Sequence, residues 1–578
     1  MTIHEPKFRK LFLQWFPINE LILCFIALFV FNNYIKHSEQ VIRADGLGYY
    51  NYLPAIFIYN DLNFEFTDTL QTEFYKHKEA NAGILRKVNG KGVNKYFVGT
   101  AVMQSPFFLG GHLIAKNSEK YAADGYSEIY QRGIYHAALV WSLIGLLFIR
   151  LSLSYLGIHR WWIFWIQAAV FLASSLPNYI VTDASFSHAY SFALVSIWTY
   201  LIISFKPEEA RKLLWIGLVL GLIVLIRPVN ILVILFLPFL LHVSGKKLSD
   251  ITMYFLNRKM LFLSFVIFGL VISIQVLIWN LQTGQWLVRS YGDESFNFSE
   301  PHIIDFLFSY RKGFFIYAPV FFVFLILGIG IWVMKKSWMN IATFILPFLV
   351  SVYVLSSWWV WYYGESFGSR VMIDFYPFAI LVAVPIYQLK RQILKWLVVP
   401  IITCFSYLAL VQTYQYKNYI LLGDAMHKEA YWTVFLKTDE KYQGYLWQEK
   451  FNSNMKKDEL LRLTGIPLDV LFSEPLIQNF EVSKLYSRLV VVINGNCSYS
   501  NGTNRFMVSI DDSLGTNHRY LEKAIFKSNA KENFSGSFQL PFFFEPLEFN
   551  RYTLVCLIYK EEEMNCSEPF EIIVYGLP

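Results

Sequence analysis

Runs of about twenty consecutive apolar residues recur from residue 18 to Gln412, and they limit what this chain can fold into. A helix of that length crosses the roughly 30 Å hydrocarbon core of a bilayer. Only 16% of the 578 residues are charged, against about 25% in a soluble domain, and the deficit is confined to this region. The sequence therefore predicts an all-α polytopic membrane module over residues 1–415, followed by a chain of ordinary soluble composition.

The apolar runs predict about eleven membrane helices. Their approximate bounds are 18–35, 131–153, 161–181, 185–204, 212–226, 228–244, 260–280, 314–334, 339–357, 371–389 and 394–413. Because Arg227-Pro228 separates the fifth run from the sixth, these are either two short spans or one kinked pair. The first run has no small-x-small cleavage site before Arg43, so it is interpreted as an uncleaved helix rather than a signal peptide.

Lysine and arginine are unevenly distributed between the loops on the two sides. With a cytoplasmic N-terminus, the inner loops hold most of them, for example Lys246-Lys247 and Lys335-Lys336. This bias predicts that loop 36–130 and the chain after residue 415 lie outside. The uncleaved first helix and the compact outer loops favour a multi-pass bacterial inner (plasma) membrane protein with a periplasmic or extracytoplasmic C-terminal part, and a eukaryotic endoplasmic reticulum protein with the same topology is the alternative. Cations at membrane edges explain the net charge of +7, which therefore does not indicate a nucleic-acid partner.

The outer segments are predicted to contain three kinds of structure. Tyr96 to Ala115 is apolar but interrupted by glycine, glutamine and proline, which favours a helix in the membrane interface or dipping into the protein. Residues 416–480 are expected to form a helical connector. Residues 481–578 alternate Val, Ile, Tyr and Phe runs with turn clusters, which is typical of a β-sandwich. Its cysteines, Cys497, Cys556 and Cys566, allow one disulfide and fit no metal pattern.

The first long outer loop begins with Arg43-Ala44-Asp45-Gly46-Leu47-Gly48-Tyr49-Tyr50. An acidic residue just beyond a first membrane helix lies where a lipid-borne substrate would meet water. The glycines let the backbone turn tightly, and an aspartate within hydrogen-bond reach can accept a proton from an attacking hydroxyl. A solvated Asp45 that caps the next helix is the alternative, and composition alone favours it.

Further polar groups lie at the predicted outer side, where burial near the membrane is costly. Asp183 and His188 lie about one turn apart and can share a helix face or a metal ion. The alternatives are that Asp183 only caps its helix and that His188 is a lone buried histidine satisfied by a neighbour. Arginine pairs bidentately with phosphate, although headgroup contact and snorkelling explain most outer cations. These cations are Arg227, Arg289, Arg311, Lys312 and Arg370.

The run from Trp358 to Arg370 combines interface aromatics with a polar end that contains Glu365. Aromatic faces beside polar groups also suit sugar rings. The sequence has no Walker loop, H-E-x-x-H motif or Rossmann fingerprint. An ATP-driven transporter or a membrane zinc protease is therefore not favoured.

Together these features resemble the polytopic GT-C glycosyltransferases, which include polyprenyl-phosphate-sugar-dependent mannosyl- and aminoarabinose transferases. The shared points are a cytoplasmic N-terminus, an aspartate just after the first helix, interface helices in the first outer loop and a variable outer C-terminal domain. The segments Tyr96 to Leu113, Gly217 to Asn230 and Trp358 to Arg370 also resemble bacterial members. The resemblance covers about residues 15–415.

The resemblance implies an inverting transfer from a polyprenyl-phosphate sugar donor to a hydroxyl of a glycan, lipid or protein acceptor. Asp45 would be the general base, and arginines would hold the leaving phosphate. The substrate- and phosphate-binding residues so implied are Arg227, Arg370, Arg289, Arg311, Glu365, Asp183, His188, Tyr49 and Tyr50. The family commonly has an acidic pair in this loop, whereas Gly46 follows Asp45 in this chain, so a divalent cation is not required by the sequence.

Two other classes of function remain open. A lipid-linked glycan flippase or other transporter often has two similar halves and charged groups near mid-membrane, but in this chain the halves differ and the ionisable groups cluster at the outer mouth. A non-catalytic scaffold with a glycan-binding outer domain is the second.

Overall fold

The computed structural model describes most of the chain. The described residues are 17–36, 38, 40–67, 84–246, 258–292, 294–390, 392–423, 426–443, 445–448, 457–467, 471, 475–482, 486, 488–499, 505–512, 517–524, 534–544, 551–559 and 564–577. Among these residues the first part is mostly helical and the last part is built of strands.

The helices run in chain order from the first membrane segment to a short helix before the strands. They are α1 Ile18–Val30, α2 Asp45–Tyr50, α3 Tyr52–Pro54, α4 Gly99–Lys116, α5 Glu128–Tyr155, α6 Arg160–Leu172, α7 Asn178–Val181, α8 His188–Ile203, α9 Lys212–Ile226, α10 Leu237–Val243, α11 Arg258–Thr283, α12 Ile303–Phe308, α13 Phe314–Tyr317, α14 Pro319–Met334, α15 Trp338–Ser356, α16 Tyr376–Leu381, α17 Val384–Tyr387, α18 Gln392–Lys417 and α19 Lys428–Val434. Turns of 3₁₀ or π type occupy Phe31–Ile35, Ala55–Tyr59, Pro207–Glu209, Pro228–Phe236, Arg370–Phe375, Glu440–Tyr442 and Tyr445–Gln448.

Several of these helices have the length and composition of membrane spans. The six longest apolar segments in the described residues are Ile18–Ile35, Glu128–Tyr155, Arg258–Thr283, Trp338–Ser356, Arg370–Tyr387 and Gln392–Lys417. Shorter apolar helices lie within other predicted spans, at His188–Ile203, Lys212–Ile226, Pro228–Val243 and Pro319–Met334. The chain is thus a mostly helical multi-pass membrane protein, while the count of eleven spans is not confirmed and the orientation stays a prediction.

The helix break at Arg227-Pro228 is confirmed. Helix α9 ends at Ile226, Arg227 is extended (φ −150°, ψ 115°), and a 3₁₀ segment begins at Pro228. A residue before proline is pushed out of the helical region by contact with the proline ring. The chain therefore turns away from the axis of α9 at Arg227.

Helices α9 and α11 pack closely through two glycines one turn apart. A Cβ at Gly217 would overlap the backbone oxygen of Ser264, and one at Gly221 would lie 2.9 Å from Val271 Cβ. The Ser264 hydroxyl donates a hydrogen bond to the Leu213 carbonyl across the pair, at 2.7 Å. This is the small-residue packing that lets membrane helices approach each other.

Substituting alanine for Gly217 is expected to destabilise the protein by about 1–3 kcal/mol, because the new methyl has no space between α9 and α11. Gly269 on α11 is the matched control, since a Cβ there meets no atom within 4 Å. Gly269→Ala should be neutral or stabilising, because alanine is the better helix former. Thermal unfolding of both variants in detergent checks this, and equal melting temperatures would contradict the packing argument.

The first predicted outer loop contains the expected helix and also a hairpin that was not predicted. Gly99–Lys116 is α4, with Pro106 inside it; its position at a membrane interface stays a prediction. Strands β1 Leu85–Val88 and β2 Lys91–Asn94 pair antiparallel across Asn89-Gly90, whose φ angles of 51° and 77° are both positive. Asn-Gly is the preferred sequence for such a two-residue turn.

The C-terminal strands form two sheets. The strands are β3 Asp458–Ile466, β4 Leu476–Glu481, β5 Arg488–Tyr499, β6 Arg505–Asp512, β7 Asn517–Ala524, β8 Phe534–Phe544, β9 Arg551–Tyr559, β10 Met564–Cys566 and β11 Phe570–Leu577. One sheet has the order β10-β5-β11-β3 with β8 on β5, and the other β4-β9-β6-β7. Buried side chains from both sheets form one core, including Phe506 and Phe570 with ring centroids 5.7 Å apart, so the region is sandwich-like as predicted.

The predicted helical connector over residues 416–480 is partly wrong. It contains α19 at Lys428–Val434 but also β3 and β4, so strand structure begins near Asp458 rather than at residue 481. The strands pair with β11 and β9 far along the chain, a long-range pairing that local patterning does not reveal. The disulfide joins Cys497 to Cys566, and Cys556 is a free, buried thiol.

Candidate active site

A cavity of about 580 Å³ lies beside the N-terminal end of α2. Its walls come from segments far apart in the chain: the start of the first predicted outer loop, the residues after β2, the start of α8, the α9 break, and the loops near residues 290 and 360. The lining residues include Asp45, Tyr49, Lys95, Tyr96, His188, Arg227, Arg289, Tyr291, Glu294, Phe296, Trp358, Tyr363 and Arg370.

Asp45 is the first residue of α2, and its carboxylate lines the cavity. Arg370 Nη2 donates to Asp45 Oδ2 at 2.6 Å. Burial raises the pKa of Asp45, but the positive charges of Arg370 and Lys95, together with hydrogen bonds from Tyr96 and Arg370, lower the pKa to about 2. The carboxylate is therefore ionised at neutral pH.

The two glycines after Asp45 are needed for close packing rather than for the tight turn expected from the sequence. Both are helical, within α2. A Cβ at Gly46 would overlap the Ser185 hydroxyl, and a Cβ at Gly48 would overlap the Tyr96 ring. Because these two positions have no side chain, α2 packs closely on Ser185, at the start of the fourth predicted span, and on Tyr96, just after β2.

Cations line much of the cavity, and most of them were predicted from the sequence as outer arginines. Arg227, Arg289 and Arg370 are brought together there with Lys95, which was not predicted. Lys95 Nζ pairs with Glu294 Oε1 at 3.1 Å. Since the carboxylates among the described lining residues are Asp45 and Glu294, that part of the wall has an excess of positive charge and suits an anion.

A buried network holds Arg227 at the cavity wall. Asp374 has no exposed surface and accepts hydrogen bonds from Arg227 Nη1 (3.1 Å), Asn230 Nδ2 (2.9 Å) and His188 Nδ1 (3.1 Å). The carboxylate thus ties the start of α8, the α9 break and the 3₁₀ segment Arg370–Phe375 to one another. His188 pairs with Asp374 and not, as the sequence spacing had allowed, with Asp183.

Asp183 does not line the cavity. Its Oδ1 accepts from Arg43 Nε and Nη2, at 3.0 and 2.8 Å, and its Oδ2 accepts from Asn178 Nδ2 at 2.8 Å. Helix α8 begins at His188 with Ser187 at its N-cap, so Asp183 does not cap that helix. Its position in the sequence implied a cap because the turn between Asp183 and Ser187 is not visible from residue types.

Three other predicted site residues also lie outside the cavity lining. Tyr50 is buried, and its hydroxyl donates to the Gly125 carbonyl. The Arg311 guanidinium lies 3.4 Å from the centre of the Tyr362 ring, and Glu365 lines a small separate cavity together with Arg43 and the segment after α18. Tyr49 does line the main cavity, with its ring 4.4 Å from that of Tyr96.

Aromatic rings form much of the remaining wall. The Tyr291 and Trp358 rings meet edge to face at 5.7 Å, and Phe296 meets Trp358 at 4.8 Å. Lys95 Nζ lies 5.2 Å from the centre of the Tyr96 ring. A sugar ring can stack on such a flat aromatic face while the neighbouring charged groups bind its hydroxyls.

The functional candidates that sequence reasoning missed are Arg43, Lys95, Tyr96, Tyr291, Glu294 and Asp374. Asp374 had a usable signal, because a carboxylate inside an apolar span is a functional candidate by default. Lys95 and Glu294 lie in polar segments, where nothing in their spacing distinguishes them. Within the described part of the chain, no three His, Cys, Asp or Glu residues come together as metal ligands.

No protein-family model and no curated protein matches the chain. Among solved structures it is similar to arabinosyltransferase EmbB from Mycobacterium smegmatis, determined by single-particle cryo-EM, with 10% identity and a TM-score of 0.38. The match covers 97% of this chain and 64% of that chain, so the chain spans less than two thirds of the neighbour's length. That neighbour is an arabinosyltransferase, and the likeness concerns the fold alone.

Proposed function

We propose that the protein is a membrane glycosyltransferase that moves a sugar from a polyprenyl-phosphate donor to a hydroxyl acceptor on the outer face of the membrane. The observation that carries the proposal is the placement of Asp45 against Arg370 in a cationic, aromatic-lined cavity. A carboxylate, phosphate-binding cations and sugar-binding surfaces are the three groups that such a transfer needs.

The phosphate of the donor is assigned to the cavity's cations. Arg370 and Arg227 present guanidinium groups there, and arginine binds phosphate oxygens bidentately. The leaving polyprenyl phosphate gains negative charge as the bond to the sugar breaks. Fixed positive groups lower the barrier because they are already oriented before that charge develops.

Asp45 is assigned the role of general base. The acceptor oxygen forms a bond to the anomeric carbon, the carbon–oxygen bond to phosphate breaks with its electron pair, and the hydroxyl proton passes to the Asp45 carboxylate. Attack from the side opposite the phosphate inverts the anomeric carbon. The rate comes mainly from orientation and from charge placement.

Donor binding also changes the basicity of Asp45. In the unliganded protein Arg370 is paired with Asp45, and this charge is the first of those that lower the pKa of the carboxylate. A donor phosphate that takes over the guanidinium neutralises that charge. The carboxylate then becomes a stronger base at the moment when a substrate is in place.

The test compares envelope glycans and lipid-linked sugars, by mass spectrometry, in a deletion strain with and without the wild-type gene. One sugar should disappear from a glycan, lipid or protein on deletion and return with the gene, while the polyprenyl-phosphate sugar accumulates in the deletion strain. A full set of glycans in the deletion strain would contradict the proposal. Loss of the product without donor accumulation on the outer face would favour a flippase.

A further inference from the structure

The residue just before the proposed base has a backbone conformation that alanine rarely adopts. Ala44 has φ 46° and ψ −135°. With positive φ, the Cβ of a non-glycine residue crowds the backbone, and such residues persist only where the surroundings hold them. Ala44 lies between Arg43 and Asp45, so any relaxation of its backbone changes the direction in which Asp45 points.

The chain before Ala44 is held by hydrogen bonds to two distant elements. Gln131 Oε1, on α5, accepts from the backbone N–H groups of both Val41 and Ile42, each at 2.9 Å. The Ser185 hydroxyl donates to the Val41 carbonyl at 2.6 Å. All of these groups are buried, so they are costly to leave unpaired.

The Arg43 side chain completes the restraint next to Ala44. Both its Nε and its Nη2 contact Asp183 Oδ1, and Asp183 is itself fixed by Asn178. The Asp183 side chain is 2% exposed and that of Arg43 is 35% exposed. An ion pair with one buried partner and two N–H donors fixes direction as well as distance.

On the other side of Ala44, the start of α2 is also fixed. Gly46 packs directly on Ser185, and the Leu47 N–H donates to the Ala44 carbonyl at 2.9 Å. Asp183 and Ser185 therefore contact the chain on both sides of Ala44. The strained residue is held between two anchored points, and removing one anchor would let it relax.

We propose that the Arg43–Asp183 ion pair positions the base by holding Ala44 in its strained conformation, so that Asp45 points into the cavity. The proposal rests on the proposed function, in which Asp45 is the base. Arg43 and Asp183 are positioning residues, since neither lines the main cavity. They act on the reaction only through the backbone between residues 43 and 45.

The test is a double-mutant cycle of Arg43→Gln and Ala44→Gly in the full-length protein, because glycine adopts the conformation of Ala44 without strain. Arg43→Gln should slow transfer in isolated membranes about 10- to 100-fold, the cost of a misplacement of about 1 Å. Binding of undecaprenyl monophosphate to the purified protein should be unchanged. Ala44→Gly should restore most of the lost rate, which a merely structural role of Arg43 would not predict.

Melting temperature gives a readout that does not depend on the reaction. Ala44→Gly should raise the melting temperature of the wild type and raise it less in the Arg43→Gln background, where the loop has already relaxed. The matched control is Arg132→Gln, which removes an exposed arginine paired with Glu128 on the surface of α5, and it should leave transfer unchanged.

The proposal is overturned if Arg43→Gln transfers at the wild-type rate, or if Ala44→Gly rescues nothing and the two substitutions have additive effects on melting temperature. These outcomes differ from failure of the proposed function. If the proposed function is wrong, Asp45→Asn retains transfer whether or not Arg43→Gln does. The melting temperatures of the Arg43 and Ala44 variants would still show whether the ion pair holds Ala44 in its conformation.

Discussion

Replacing Asp45 with asparagine is expected to reduce transfer by about 10²- to 10⁴-fold, the usual contribution of a positioned general base. Asparagine has nearly the same shape and keeps an oxygen that can accept from Arg370, but it cannot take up the hydroxyl proton. The Asp45 side chain is one third exposed, so loss of its charge should cost less stability than removal of a fully buried carboxylate such as Asp374. The measurement is the rate of product formation in membranes, together with a melting curve of the purified protein.

Asp305→Asn is the matched control for this experiment. Asp305 lies on α12, is half exposed, and pairs with His302 at 3.5 Å rather than with any cavity residue. It should transfer at the wild-type rate. Near-normal transfer by Asp45→Asn would remove Asp45 as the base, and a large loss in both variants would show that the assay responds to surface charge.

Replacing Asp374 with alanine is expected to destabilise the protein by about 3–5 kcal/mol, the usual cost of removing one partner of a buried ion pair. Asp374 is fully buried and accepts from Arg227, Asn230 and His188 at once. Without it, Arg227 loses its carboxylate and the other donors lose their acceptor. Unfolding by denaturant in mixed micelles measures the free energy, and transfer should fall too because Arg227 lines the cavity.

Moving the carboxylate distinguishes loss of charge from loss of packing at this position. Asp374→Asn alone should be destabilising. Combining it with Asn230→Asp exchanges the amide and the carboxylate of these two hydrogen-bonded residues, so that one carboxylate is present again. The double variant should recover part of the lost stability. If Asp374→Ala unfolds at the wild-type denaturant concentration, or if the double variant is no better than the sum of its parts, the network does not stabilise the bundle.

The sequence predicted the helical regions because each membrane helix depends mainly on its own apolar run. The break at Arg227-Pro228 was predicted for the same reason, since proline acts on its immediate neighbours. The sequence did not predict that β3 and β4 lie in the connector, because their partners are distant strands. The Asn-Gly pair of the hairpin at residues 89 and 90 is a local signal of the same kind, although the hairpin was not predicted from it.

The candidate site was predicted in part. The position of Asp45 and of four arginines followed from where the apolar runs end, and the resemblance to the GT-C glycosyltransferases favoured Asp45 as the base. Asp45 and three of these arginines line one cavity, whereas Arg311 does not. Asp183 and Glu365 looked equally suitable by residue type, yet they lie elsewhere. Residue type gives the chemistry that a side chain can perform, whereas its direction depends on neighbours that sequence spacing does not reveal.

Hydrophobic length and alternation are local properties on which lipid and water act directly. For that reason the amino-acid sequence alone is enough to specify a multi-pass membrane protein with a C-terminal strand domain. The pairings of the buried charges depend instead on the folded bundle: Arg370 meets Asp45 across 325 residues, and Asp374 meets His188 across 186. A buried charge must find a partner wherever the packed helices place one, and no local pattern of residues contains that information.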